Sequence, residues 1–186
     1  MTQVTSYRTQ SGVTLIELLV AIAVLAILLA LAAPSFADLA ERSALRGAAD
    51  NVVGVVAAAR EEAIKRDQWV RVDFKKVGTG FCVGAVTVAT ATTAGCDCSA
   101  AACAVATFPE GARDLHRVTL AGDPTFGSDA GFVIDPKTGT LADIADGGSM
   151  ELGTSKGYAA RVAINAMGRA SICTPGDKGI PGVKAC

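Results

Sequence analysis

Apolar and polar positions divide the chain into three textures. From Val13 to Ala33 every residue is apolar except Thr14 and Glu17, a run of 21 positions, and about 20 apolar residues in a helix suffice to cross a hydrocarbon layer. Further along, Leu45, Ala49, Val52, Val56, Ala59 and Ala63 recur at steps of four and three, which places them on one stripe of an amphipathic helix. Arg42, Arg46, Asp50 and Arg60 fall largely off that stripe. A single helix is therefore expected over 13–66, on the order of 80 Å long at 1.5 Å per residue. Its first part, 13–33, is the transmembrane or core segment, and 34–66 is the amphipathic part. Pro34 removes one helical hydrogen bond and is expected to loosen the helix there.

Beyond Arg66 the period shortens. In "WVRVDF" (69–74) Val70, Val72 and Phe74 alternate with polar neighbours, a strand pattern. Further strands are expected at Phe81–Val88, Cys103–Phe108, Leu115–Leu120, Gly131–Ile134, Met150–Leu152, Ala160–Asn165 and Arg169–Cys173. "DPKTG" (135–139) reads as a turn, because Pro presets one dihedral and Gly supplies another. "INAMGR" (164–169) reads as the hairpin loop between the last two strands. Residues 67–186 should therefore form a small antiparallel β-sheet head, a sandwich or a pair of sheets, and the fold class is α+β.

With 186 residues the chain can hold one domain with a core plus an appendage, and its net charge of −1 gives no global pull toward nucleic acid. The apolar run admits three readings. A cleaved secretory signal would use Ala30-Leu31-Ala32 as its A-x-A site, but the run from Leu18 to Ala33 is 16 residues, longer than the usual stretch of roughly 7 to 15. A plain membrane anchor leaves Glu17 unexplained, since an intramembrane carboxylate costs about 2.5–3.5 kcal/mol on insertion scales.

The third reading accounts for the charge. "GVTLIELL" resembles the processing site of type IV prepilins and pseudopilins, in which a short polar leader ending in Gly is removed on the cytoplasmic side of the apolar helix. The resemblance implies a leader of residues 1–12 and cleavage between Gly12 and Val13 by a prepilin peptidase, with N-methylation of Val13, which stands where the family commonly has Phe. Glu17 becomes the fifth mature residue and Pro34 the twenty-second, the positions at which this family carries a Glu and a Pro. Cleavage exposes an α-amino group in the membrane, where a charge must be paired or neutralised. The family resemblance assigns Glu17 to pairing with the amino terminus of a neighbouring subunit during filament assembly; the alternative is an interfacial Glu that reaches water.

Toward the carboxyl end, Phe132, Gly139, Arg161 with Val162, and Gly168-Arg169 look like the GspH/FimT family of minor pilins and pseudopilins. That resemblance implies a type IV pilin-like fold, a long N-terminal helix packed on a β-sheet head. It further implies an inner-membrane protein with its amino terminus cytoplasmic and its head periplasmic, which joins a pilus after assembly. The implied partners are other pilins or pseudopilins, the prepilin peptidase, the inner-membrane assembly platform and the membrane. The role expected is a minor pilin that primes assembly or sits in a tip complex, with a type II secretion pseudopilin and a DNA-uptake pilin as alternatives.

Six cysteines stand at 82, 96, 98, 103, 173 and 186. "CDCSAAAC" admits a thiolate metal site, but an even count in an exported head favours disulfides, and no metal is expected. Cys173 and Cys186 flank "TPGDKGIPGVKA", a segment with almost nothing to bury, so a bridge closing it is expected. Cys82 is free to meet Cys96, Cys98 or Cys103.

Catalytic patterns are wanting. His116 is the single histidine, no nucleophile elbow or paired-carboxylate pattern stands out, and no Gly-rich loop precedes a helix; neither an enzyme nor a cofactor is expected. DNA binders of the FimT type carry Gly-Arg-x-Arg, whereas this chain has Gly168-Arg169-Ala170-Ser171. Arg161, Arg169, Lys178 and Lys184 remain as DNA-binding candidates, enough for only weak binding.

Overall fold

A computed structural model describes residues 13–186 apart from 93, 101–102, 110–114, 116 and 128, and the side chains of 32–34 are likewise outside it. The expected leader, Gly12 and His116 thus lie outside the described residues, as does the side chain of Pro34. Its contacts divide the chain into two units, up to Asp38 and from Leu39 onward.

Helix α1 runs Leu15–Arg66, two residues inside the expected start and ending at the expected residue. Thr14 Oγ1 accepts the Glu17 backbone N–H at 3.3 Å, and the first helical bond runs from Leu18 N to Thr14 O at 3.1 Å, so Thr14 is the N-cap. At the other end Lys65 and Arg66 oppose the negative pole of the helix dipole, and Arg66 pairs with Glu62 one turn back. Asp67 takes a left-handed φ of 52°, and Gln68 N returns to Ala63 O at 3.2 Å. That six-to-one bond closes the helix as a Schellman cap with Asp in the position usually held by Gly.

Among the described residues of the second unit eight antiparallel strands follow: β1 Trp69–Val77, β2 Gly80–Val88, β3 Ala106–Phe108, β4 Thr119–Leu120, β5 Gly131–Ile134, β6 Gly148–Gly153, β7 Ala159–Ile164 and β8 Ala170–Cys173. They form two four-stranded sheets, in the orders β3-β2-β1-β5 and β4-β6-β7-β8. The stripe of α1 supplies the shared wall. Leu45, Ala49, Val52, Val56, Ala59 and Ala63 are each at most 1 % exposed. They join Val70, Val72 and Phe74 of the first sheet and Met150, Leu152 and Val162 of the second in one core. Phe126, from the loop before β5, stacks on Phe74 with centroids 4.2 Å apart and meets Phe132 edge-on at 5.9 Å. The fold is α+β and pilin-like: a long helix with its second half laid on a β-sheet head.

Two strands are shorter than their patterns suggest, for local reasons. Of Cys103–Phe108 only the last three residues pair, because Cys103 is held in a disulfide and gives its N–H to Thr107 Oγ1 at 2.6 Å instead of a ladder. Of Leu115–Leu120 only Thr119–Leu120 pairs, since Val118 N turns back onto Leu115 O at 2.7 Å. A short 3₁₀ turn at Ile144–Asp146, capped by Asp143, has no counterpart in the sequence reading. The two turns form as their residues dictate. Asp135 Oδ1 accepts Lys137 N at 2.7 Å with Gly139 at φ 65°, and Asn165 Oδ1 accepts Met167 N and Arg169 N with Gly168 at φ 69°.

Candidate functional site

The helix start is the first candidate. Thr14-Leu15-Ile16-Glu17 has the spacing of a capping box, and half of it is formed, from Glu17 N to Thr14 Oγ1. Glu17 therefore lies in the first turn, where the positive end of the helix dipole favours a carboxylate. This local role stands beside intersubunit pairing and the interfacial alternative, and the T-x-x-E signature before an apolar run makes it legible in the sequence. From Val13 to Leu31 the large apolar side chains are all exposed by 51 % or more. Among the described residues nothing covers them, an exposure that suits lipid or other helices. Among the described residues no single helix is by itself long and apolar enough to cross a membrane, while Leu15–Leu31 taken with the helical residues from Ser35 passes that test.

Disulfides shape the head. Cys82 of β2 bonds Cys98, Cys96 bonds Cys103, and Cys173 at the end of β8 bonds Cys186, with Cα–Cα distances of 5.9, 5.8 and 5.0 Å. All six cysteines are used. Gly84 is required beneath the first two bridges, because a Cβ there would overlap Cys103 Sγ and approach Cys96 Sγ at 3.0 Å. Charges fix the same loop onto β1. Asp73 Oδ2 accepts Cys96 N at 3.2 Å, and Lys75 donates to Asp97 at 2.6 Å. The Lys75 ammonium and the Ser99 hydroxyl and N–H hold the Asp97 carboxyl well below the usual carboxylate range. Among the described residues no cluster of His, Cys, Asp or Glu is arranged to hold a metal ion.

The four basic candidates are not gathered into one patch. Arg161 on β7 gives its Nε to Glu151 of β6 at 3.0 Å, and Lys178 donates to the Lys156 carbonyl at 3.1 Å. Arg169 lines a groove against Val53, Ala57 and Arg60 of α1, whereas Lys184 lines a second hollow with Arg46, Asp50 and Ile172. Arg161 is thus paired with a carboxylate, whereas Lys178, bonded to a neutral carbonyl, keeps its charge, as do Arg169 and Lys184.

Near the start of the head, Glu41 of α1 binds the β6–β7 loop, accepting Ser155 Oγ at 3.0 Å and Lys156 N at 3.3 Å. Burial pushes its carboxyl upward, but the Thr154 and Ser155 hydroxyls facing it, the Lys156 N–H and the Lys156 charge outweigh that and lower it. Asp146 is shifted the opposite way, raised by burial, by Asp143 one turn before it and by Asp129, against the pull of Arg71.

Comparison with known proteins agrees with both ends of the chain. Residues 7–33 match the prokaryotic N-terminal methylation motif, and residues 48–168 match the type II transport protein GspH. No curated protein and no solved structure matches the chain significantly. The GspH match takes in the last part of α1 and strands β1 to β7, and with the methylation motif ahead of it the chain belongs to the GspH family of pilins and pseudopilins.

Proposed function

We propose that this protein is a minor pilin of a type IV pilus, a structural subunit that primes assembly or sits in the tip complex. The observation that carries the reading is the first half of α1: an uncovered apolar surface from Val13 to Leu31 headed by Thr14 and Glu17. Such a surface costs free energy in water and is relieved by a bilayer before assembly and by neighbouring helices afterwards. In this reading residues 1–12 are a leader, a prepilin peptidase cuts between Gly12 and Val13, and Val13 is methylated. Residues 13–33 span the inner membrane with the head periplasmic, Glu17 pairs with a neighbouring subunit's amino terminus, and the assembly platform moves the subunit into the filament. The disulfide-rich head favours the pilus. The second reading, a type II secretion pseudopilin, is favoured by the match of residues 48–168 to the type II transport protein GspH.

Intact-mass measurement on protein from native membranes tests the shared part: 174 residues remain (186 minus 12) if cleavage follows Gly12, whereas a start at Ala33 restores a signal peptide and removes the pilin reading. Glu17→Ala should leave cleavage and insertion intact and abolish incorporation into sheared filaments. Deleting the gene then separates the two systems, with loss of surface pili expected and loss of protein secretion alone pointing to the pseudopilin.

A further inference from the structure

The hydrogen bonds of the second sheet leave part of one edge open. Thr154 N bonds Tyr158 O at the β6–β7 loop, so the even residues of β7 face β6. Asn165 N bonds Arg169 O at the β7–β8 loop, so the odd residues of β7 face the odd residues of β8. The even residues of β8 and its extension, Ala170, Ile172 and Thr174, therefore point their N–H and C=O groups away from the sheet. Thr174 is satisfied by the tail, which crosses it in parallel: Thr174 N bonds Lys184 O at 2.8 Å and Cys186 N bonds Thr174 O at 3.0 Å, held by the Cys173–Cys186 bridge. The tail then turns away, with Val183 N on Ile180 O. Among the described residues nothing bonds the outward groups of Ala170 and Ile172.

That edge opens into a groove against α1. Two hollows of about 410 and 340 Å³ lie along it and share Val53 and Ala170 as walls. Its floor is apolar, with Val53, Ala57 and Ile64 on the helix side. Its ends are basic: Arg60 and Arg169 at one, Arg46 and Lys184 at the other, against Glu61 and Asp50. Arg46 is occupied by Asp50 and the Pro181 carbonyl, whereas Arg60, Arg169 and Lys184 have no side-chain partner among the described residues. Edges of this kind are normally blunted by Pro, by a charge on the strand or by a covering segment; here the tail covers one outward residue and leaves "ASI" bare.

We propose that the open edge of β8 is a docking site for an extended acidic segment of a partner protein, which adds as a strand beside Ala170 and Ile172. Its backbone completes the four unpaired groups, its apolar side chains lie on Val53 and Ala57, and carboxylates near its ends meet Arg60 with Arg169 and Lys184. The site does not depend on Glu17 or on filament incorporation, so its failure and that of the pilin reading are separable.

The probe is a fluorescein-labelled heptapeptide, Asp-Val-Thr-Val-Thr-Val-Glu, titrated against the full chain in detergent and followed by anisotropy. Saturable binding is expected, with the Lys-ended analogue weaker by about tenfold or more. Ala170→Pro removes one outward N–H without touching the β7 ladder, a position where an edge strand tolerates Pro, and should weaken binding by about tenfold. Retention of three disulfides and of the circular dichroism spectrum checks its fold. Arg169→Glu with Lys184→Glu, both at exposed positions, should abolish binding and decides the matter if the Pro variant misfolds. Equal binding of the acidic and Lys-ended peptides, no binding up to 1 mM on the order of the weakest specific contacts, or wild-type binding by the double variant overturns the proposal. So does displacement of the peptide by duplex DNA at physiological salt, which would assign the basic ends to nucleic acid, or self-association of the chain that Ala170→Pro abolishes.

Discussion

Arg42 of α1 lies over the ring of Tyr158, its guanidinium carbon 4.5 Å from the ring centroid, and donates from Nη2 to the Tyr158 hydroxyl at 2.8 Å. One side chain thereby ties the helix to the β6–β7 loop through both a cation–π contact and a hydrogen bond. Tyr158→Phe keeps the ring and removes the hydroxyl, at a cost of about 1 kcal/mol, or about 2–4 °C in the melting temperature for a chain of this size. Arg42→Ala also loses the cation–π contact and should cost about 2 kcal/mol. Thermal unfolding of both variants in one detergent checks the order; a Tyr158→Phe protein less stable than Arg42→Ala contradicts it.

Gly84 and Gly54 should respond to alanine with opposite signs. A Cβ on Gly84 runs into the Cys96–Cys103 bridge, while a Cβ on Gly54 meets nothing within 4 Å on the outside of the helix. Gly84→Ala should lose about 1–3 kcal/mol through overpacking and lower the yield of protein with all three bridges, counted by mass after thiol alkylation. Gly54→Ala should gain about 1 kcal/mol.

Acid should release the Glu41 clamp. The folded state lowers the Glu41 carboxyl, so its contribution is fully present above the unfolded carboxylate range, near pH 4.3. It is lost as pH falls through the lower folded-state value. Glu41→Gln should therefore melt below wild type at pH 7, with the gap closing as pH drops below about 4. Asp146 carries the reverse sign, because its carboxyl is raised: Asp146→Asn should melt above wild type at pH 7 and match it in acid. A pH series of melting curves that shows either gap constant excludes the assignment.

DNA binding should be feeble. With Arg161 on Glu151 and a serine at 171, Arg169, Lys178 and Lys184 supply at most about three scattered phosphate contacts, and each contributes close to one unit of salt slope. The full chain in detergent should bind duplex DNA no tighter than about 10⁻⁴ M at physiological salt. A shallow salt slope that flattens further in Arg169→Ala is the expected signature; tight binding lost in that variant would make the chain a DNA receptor.

The one-dimensional pattern alone determined the helix stripe, because residues three and four apart must share a face whatever they pack against. It also placed all eight strands, since alternation needs only two faces, and the closed tail, since a Gly- and Pro-rich segment between Cys173 and Cys186 has no core to hold it. Glu17 at the head of the apolar run marked the family. Tertiary structure decided what depends on residues far apart. Cys82 had three partners in reach of its spacing, and only the path of the loop over Gly84 selects Cys98. Arg161 looked like an available cation until β6 placed Glu151 beside it in the ladder. The order of strands decides that β8 is an edge, and bond parity decides that Ala170 and Ile172 face outward; neither is written in "ASI", because the same three residues in a central strand would have no groups to offer.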